Sequence, residues 1–127
     1  MSLVEGALEH GADTVTFVGK GLRVDLGPAA AIGLPDGSWP AVVLGVRSED
    51  LIVEVDGASA GGRGFEAKVG LTEPIGSDTF VELEAGETSM VARVDPDLPL
   101  VLDQPVTARF RRSGIHLFDK ETGERIN

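Results

Sequence analysis

Apolar and polar residues alternate with a period of two along most of this chain, and almost nothing repeats at the three-to-four spacing of a helix. Val15 and Phe17 stand between threonines, Leu22, Val24 and Leu26 enclose Arg23 and Asp25, and Phe65, Ala67, Val69 and Leu71 enclose Glu66, Lys68 and Gly70. Successive side chains of a strand point to opposite sides, so each stretch predicts a strand with one buried face. "AVVLGV" (41–46) is apolar on both sides and predicts a strand covered on both faces; "LIVEV" (51–55) follows. Further strands are expected over 79–83, 90–94, 106–110 and 115–118, for about nine or ten in all. Turns separate them at "VGKG" (18–21), "PDGSWP" (35–40) and "DKETGE" (119–124), and only "PAAAIG" (28–33) suits a helical turn. Many short strands between glycine-rich turns predict an all-β sandwich or barrel.

Length and charge narrow the picture. The 127 residues suit one domain, 1–127, with "GASAGGRG" (57–64) as an internal loop and the most flexible segment. The chain has no cysteine, which excludes disulfides, thiolate nucleophiles and cysteine-held metals, so packing and backbone hydrogen bonds must hold the fold. A net charge of −10 repels a phosphate backbone, so no nucleic-acid partner is expected. Five Phe, one Trp and no Tyr supply too few stacking platforms for a single-strand binding groove. No signal peptide or apolar run of bilayer length is present, and a cytoplasmic location is expected.

Each candidate for chemistry is outweighed by its plainer reading. "GASAG" (57–61) matches the nucleophile pattern around Ser59, but that motif needs a helix after the turn, and glycines 61, 62 and 64 follow instead. "GRGFEA" (62–67) fits a permissive dinucleotide fingerprint yet runs into an alternating strand. "TVTFVGKG" around Lys20 lacks the first glycine of a phosphate loop and the hydroxyl residue after the lysine. His10 and His116 lack the spacing of a metal pair, and His116, between Ile115 and Leu117, reads as an outward or interface-facing strand residue. Glu82 and Glu84 share one strand face, most simply a solvated one, and Asp95 and Asp97 flank a turn proline. Arg109, Arg111 and Arg112 form the one locally basic patch, suited to a partner's acids or a small anion. Neither catalytic residues nor a metal site are expected.

Three separated motifs add up. "LGVRSEDL" (44–51), "TEPIGSDTFVEL" (72–83) and "GIHLFDKETGERI" (114–126) resemble, in order and spacing, the transport-associated OB-type (TOBE) domain of ABC sugar importer ATP-binding subunits, the group of the maltose and glycerol-3-phosphate systems. The likeness spans about residues 41–126, and "VEGALEHG" (4–11) resembles the first strand of the same regulatory region. Ser48 and Asp50 depart from the family, which usually has Pro and His there. Residues 1–3 read as left over from expression, with the ATPase domain omitted. The resemblance implies an OB-like or MOP-like closed β-barrel with at most one short helix. It implies a non-catalytic regulatory and dimerisation domain, cytoplasmic and peripheral to the inner face of the plasma membrane. ATP and Mg, and the permease subunits, would engage a nucleotide-binding domain outside this chain. A regulatory protein is a further expected partner.

Within those motifs Arg47, Glu49, Glu73, Gly76, Ser77, Asp78 and His116 become candidates for interface or regulatory contacts. The corner at 72–78 reads as a joint: Pro74 fixes φ, Gly76 permits a positive φ, and Ser77 and Asp78 offer acceptors to turn amides. Repeated by a twofold axis, the same corner also suits a dimer contact. Some oxyanion importers bind their anion in related domains. The alternative is therefore a molybdate- or sulfate-type sensor using backbone amides at the glycine turns with Arg109, Arg111 or Arg112.

Overall fold

Ten antiparallel strands build two five-stranded sheets in a computed structural model that describes residues 1–55 and 64–127. The nucleophile pattern with Ser59, and Gly62 and Arg63 of the dinucleotide pattern, lie outside the described residues. The strands are β1 (Ser2–His10), β2 (Val15–Gly19), β3 (Leu22–Asp25), β4 (Val42–Val46), β5 (Leu51–Glu54), β6 (Phe65–Ile75), β7 (Asp78–Ala85), β8 (Thr88–Val94), β9 (Pro105–Phe110) and β10 (His116–Asp119). The first sheet runs β10-β4-β1-β2-β3 and the second β5-β9-β6-β7-β8. The second curls until its edge strands β5 and β8 lie against each other, giving the expected barrel-like closure. The expected helical turn is a single 3₁₀ turn, Ala29–Ile32, ended by Gly33 at φ 72°.

The alternation read from sequence becomes the core. Phe17, Val24, Leu44, Val69, Val81, Leu83, Met90 and Leu117 are fully enclosed and belong to one cluster shared by both sheets. Strand β4 lies between β10 and β1, with Val42, Leu44 and Val46 enclosed in the core, whereas on its other face Gly45 is buried and Val43 only half-buried, so the expected cover on both faces is incomplete. β1 pairs with β4 through its first half and with β2 through its second. The changeover falls at Gly6, where any Cβ would collide with the Val18 carbonyl and the Phe17 ring. Ser2 and Leu3 are part of the ladder, opposite Val46 and Gly45.

Besides the Val91 amide of β8 donating to Ser2 Oγ of β1 at 3.0 Å, two backbone joints fasten the sheets. The turn between β2 and β3 presses on the turn between β7 and β8: a Cβ on Gly86 would lie 2.5 Å from the Gly21 Cα and 2.6 Å from its carbonyl oxygen. The Glu87 amide donates to the Lys20 carbonyl at 3.2 Å across this contact. The second joint is where the chain passes between sheets, from β4 to β5 and from β9 back to β10. Each passage is one 3₁₀ turn, Ser48–Asp50 and Arg112–Gly114. The Arg111 amide donates to the Asp50 carbonyl at 2.7 Å, and Gly114 lies so close to the Asp50 side chain that no Cβ fits there.

Candidate functional site

The residues singled out by sequence fall into two groups. Arg47, Glu49, Arg111, Arg112 and His116 gather at the paired passages between the sheets, whereas Glu73, Gly76, Ser77 and Asp78 occupy the tip of the β6–β7 hairpin. Arg109 belongs to neither, standing in β9 opposite Ile52.

At the tip, Ile75 pairs with Asp78, so the reversal consists of Gly76 and Ser77 alone, with Gly76 at φ 62°. A two-residue turn of this kind needs a residue that tolerates positive φ, which glycine does without steric cost. Pro74, expected to help the chain turn, instead stands within the ladder opposite Thr79. Residues 71–77 are all exposed, including Leu71 at 74% and Ile75 at 54%. Glu73 pairs with Phe80 and Ile75 with Asp78, which puts these four side chains on one face. β9 covers only the first residues of β6, from Phe65 to Lys68, and Pro74, having no N–H, blunts the open edge beyond.

His116, expected to face outward or an interface, is not open to solvent. The residue is only 7% exposed, and its Nε2 is buried with no hydrogen-bond partner. Alternation does place it on the outer side of the first sheet, since Leu117 fills the core. That outer side is covered, however: opposite His116 stands Gly45, and Met1, Leu3 and Phe118 fold over the space left by the missing side chain. Burial, then the charges of Arg125 and Arg47, hold the imidazole below its ordinary value, and Asp50 opposes them in part. Gly114, Ile115 and Asn127 frame the strand: the Asn127 side chain donates to the Ile115 and Ile32 carbonyls and accepts from the Leu117 amide, at 2.8–2.9 Å.

The basic patch is not a free one. Arg109 Nε lies 2.9 Å from Glu54 Oε1, and Arg111 Nε lies 3.6 Å from Asp50 Oδ1, so two of the three arginines already face a carboxylate. Arg112 alone of the three has no ion-pair partner among the described residues. Glu82 leans over Gly70, beside the bulge between Val69 and Thr72, and Asp95 accepts from the Asp97 amide at 2.9 Å, as turn aspartates do. A groove of about 650 Å³ crosses the outer side of β6 and β9 between Glu66, Lys68, Glu84 and Thr107. Sequence reasoning missed Asn127 and Arg125, whose roles arise from a contact of the last residues with β10. The two glycines that admit close approach, Gly45 and Gly114, were present in the motifs as the only available signal.

Residues 44–118 match the family described as the TOBE domain. A xylose/arabinose import ATP-binding protein of Haloferax volcanii is 32% identical over 130 residues, covering 99% of this chain and 32% of the relative. The oligosaccharides import ATP-binding protein MsmX of Bacillus subtilis is 27% identical, over 77% of this chain and 30% of its own length. An sn-glycerol-3-phosphate import ATP-binding protein of Rhodopseudomonas palustris is 32% identical, over 72% and 29%. The chain thus spans about a third of the length of these curated relatives. Among solved structures, the cytoplasmic molybdate-binding protein ModG superposes with a TM-score of 0.65 at 20% identity, over 91% of this chain and 93% of that one. At that identity the likeness concerns the fold, an OB-type β architecture. The match over the first two motifs, the start of the third and the strands between them establishes that this chain belongs to the TOBE domain family, a family of non-catalytic regulatory domains.

Proposed function

We propose that this chain is the regulatory and dimerisation domain of the ATP-binding subunit of an ABC importer for sugars or related carbohydrates. The family match over residues 44–118, together with relatives that are import ATP-binding proteins about three times as long, carries the reading. On this reading the domain hydrolyses nothing itself. It keeps two ATPase subunits together as their nucleotide sites open, at the cytoplasmic face of the plasma membrane, and offers a surface to a regulatory protein. ATP and Mg belong to the rest of the polypeptide, which also meets the permease subunits. Lys20, the one residue in a phosphate-loop-like stretch, sits in a two-residue turn between strands and not at a strand-to-helix turn. The hairpin tip, with its exposed Ile75 and Leu71, is the natural contact for a second copy.

The test is deletion of this domain from the full-length subunit. Basal ATP hydrolysis by the remainder should persist, while dimer lifetime and transport should drop; transport that is unaffected refutes the proposal. The oxyanion-sensor alternative draws on the fold shared with ModG, but the carboxylates beside Arg109 and Arg111 oppose an anion at that patch. Calorimetry with molybdate, sulfate and sugar phosphates separates the two: a micromolar site promotes the sensor, and no heat removes it.

A further inference from the structure

Among the described residues, two cations without an ion-pair partner flank a buried, unpartnered group. His116 stands opposite Gly45 on β4, and Phe118 opposite Val43. Two residues on from Gly45, Arg47 shares its face; Arg125 pairs with Phe118 through an isolated bridge and shares the face of Phe118 and His116. Both arginines are therefore diagonal neighbours of His116, at the roughly 7–8 Å separation that long side chains span. After burial, their charges act to lower the imidazole's basicity, with Asp50 opposing, and neither has a carboxylate partner among the described residues. Arg23, Arg109, Arg111 and Lys120, by contrast, are all paired within the chain. Around the cationic pair lie apolar groups: Leu3 at 64% exposure, Met1 at 58%, and the half-buried Val43 and Phe118.

The hairpin tip presents the complementary arrangement. Glu73 and Asp78 are acids beside the exposed Ile75 on one face, with Phe80 completing it, and Glu73 and Ile75 are two residues apart, about 7 Å. Neither acid has an ion-pair partner among the described residues. Glu5, opposite Val43 on the same outer face, is already paired with Lys120 at 3.3 Å, so the free charge of that face is cationic and opposes the acids of the tip, which fixes the register.

We propose that the outer face of β4 and β10, at Arg47, His116 and Arg125, is the docking site for the β6–β7 hairpin tip of a second copy of this chain, with the Glu73 carboxylate set between the two arginines. The inference rests on the dimer reading above and makes it specific. One copy supplies the acid and the other the cations, and a twofold axis repeats the contact, so each dimer has two such sites. The unpartnered imidazole nitrogen then gains a polar neighbour once the flexible Met1 thioether, now over Gly45, moves aside.

The absence of native cysteine makes the geometry directly testable. Single variants Ile75→Cys and Leu3→Cys are mixed and oxidised, and the disulfides are mapped by mass spectrometry. The proposal expects the Ile75→Cys/Leu3→Cys heterodisulfide to dominate. Sedimentation equilibrium on R47E/R125E should show at least a tenfold weaker dimer, E73R an equal weakening, and the triple variant a return to within about threefold of the native chain. Dominant Ile75→Cys homodisulfide, or a native-strength R47E/R125E dimer, overturns the docking while leaving dimerisation standing. A native chain that stays monomeric at millimolar concentration overturns both. Circular dichroism of each variant checks that charge reversal on these exposed side chains leaves the sheets intact.

Discussion

Gly86→Ala is the sharpest probe of how the two sheets are held. Gly86 sits at φ 60°, where an L side chain costs about 1–2 kcal/mol, and its new methyl would lie 2.5–2.6 Å from backbone atoms of Gly21 in the opposing turn. Backbone on both sides cannot swing away as a side-chain tip does, so overpacking adds roughly 1–3 kcal/mol. Reduced freedom of the unfolded chain returns about 0.4–1 kcal/mol. The net loss is about 3 kcal/mol, which at this length lowers Tm by about 12 °C. Gly76→Ala and Gly123→Ala are the controls, because both glycines have positive φ, 62° and 75°, yet nothing lies within 4 Å of their added Cβ. They share the conformational cost and lack the collision, so each should lose only about 1 kcal/mol. Urea unfolding of the three variants, followed by circular dichroism, measures the difference. Should Gly86→Ala lose no more than Gly76→Ala, the turn-to-turn contact does not join the sheets and the reasoning fails.

Other consequences are equally concrete. Gly114→Ala drives a methyl into the Asp50 side chain and should cost about 2–3 kcal/mol by thermal unfolding, with Asp50→Gly relieving part of that loss. Asn127→Ala removes a side chain that makes three hydrogen bonds to Ile32, Ile115 and Leu117; a loss of about 2 kcal/mol is expected, and amide exchange of Leu117 should speed up. Burial, then the charges of Arg125 and Arg47, lower the His116 pKa in the fold, so as pH falls the unfolded chain takes up its proton first. Its contribution to stability is complete above pH 6.5 and declines as pH falls below that value toward the lower folded pKa. His116→Gln should flatten the urea midpoint between pH 7.5 and 5.5 relative to the native chain, and an unchanged slope would exclude His116 as its source.

How much was legible can be read off particular residues. The strands over 15–26 and 65–71 follow from alternation and that over 41–46 from a continuous apolar run, because side-chain direction in a strand is set by the backbone and needs no partner to be known. The turns at Gly21, Gly76 and Gly123 were equally plain, since positive φ favours glycine wherever the chain reverses. His116 shows the limit. Period two correctly put it on the face away from Leu117, but says nothing about what lies over that face, and there the missing side chain of Gly45 lets Met1, Leu3 and Phe118 close above the sheet. The arginine cluster shows the same limit: three basic residues within four positions read as a free patch until Glu54 and Asp50, more than fifty positions away, neutralise two of them.

Local chemistry along the chain thus determined most of the strands and which side of each is apolar, where the backbone reverses, and that no disulfide takes part; β1 was named only through the family resemblance. Tertiary structure alone decided which strands are neighbours, that both passages between the sheets run side by side at Asp50 and Gly114, and which charges are left unpaired. The reason is one of range: dihedral preference and periodicity act within a few residues, whereas burial and ion pairing depend on atoms brought together from opposite ends of the sequence.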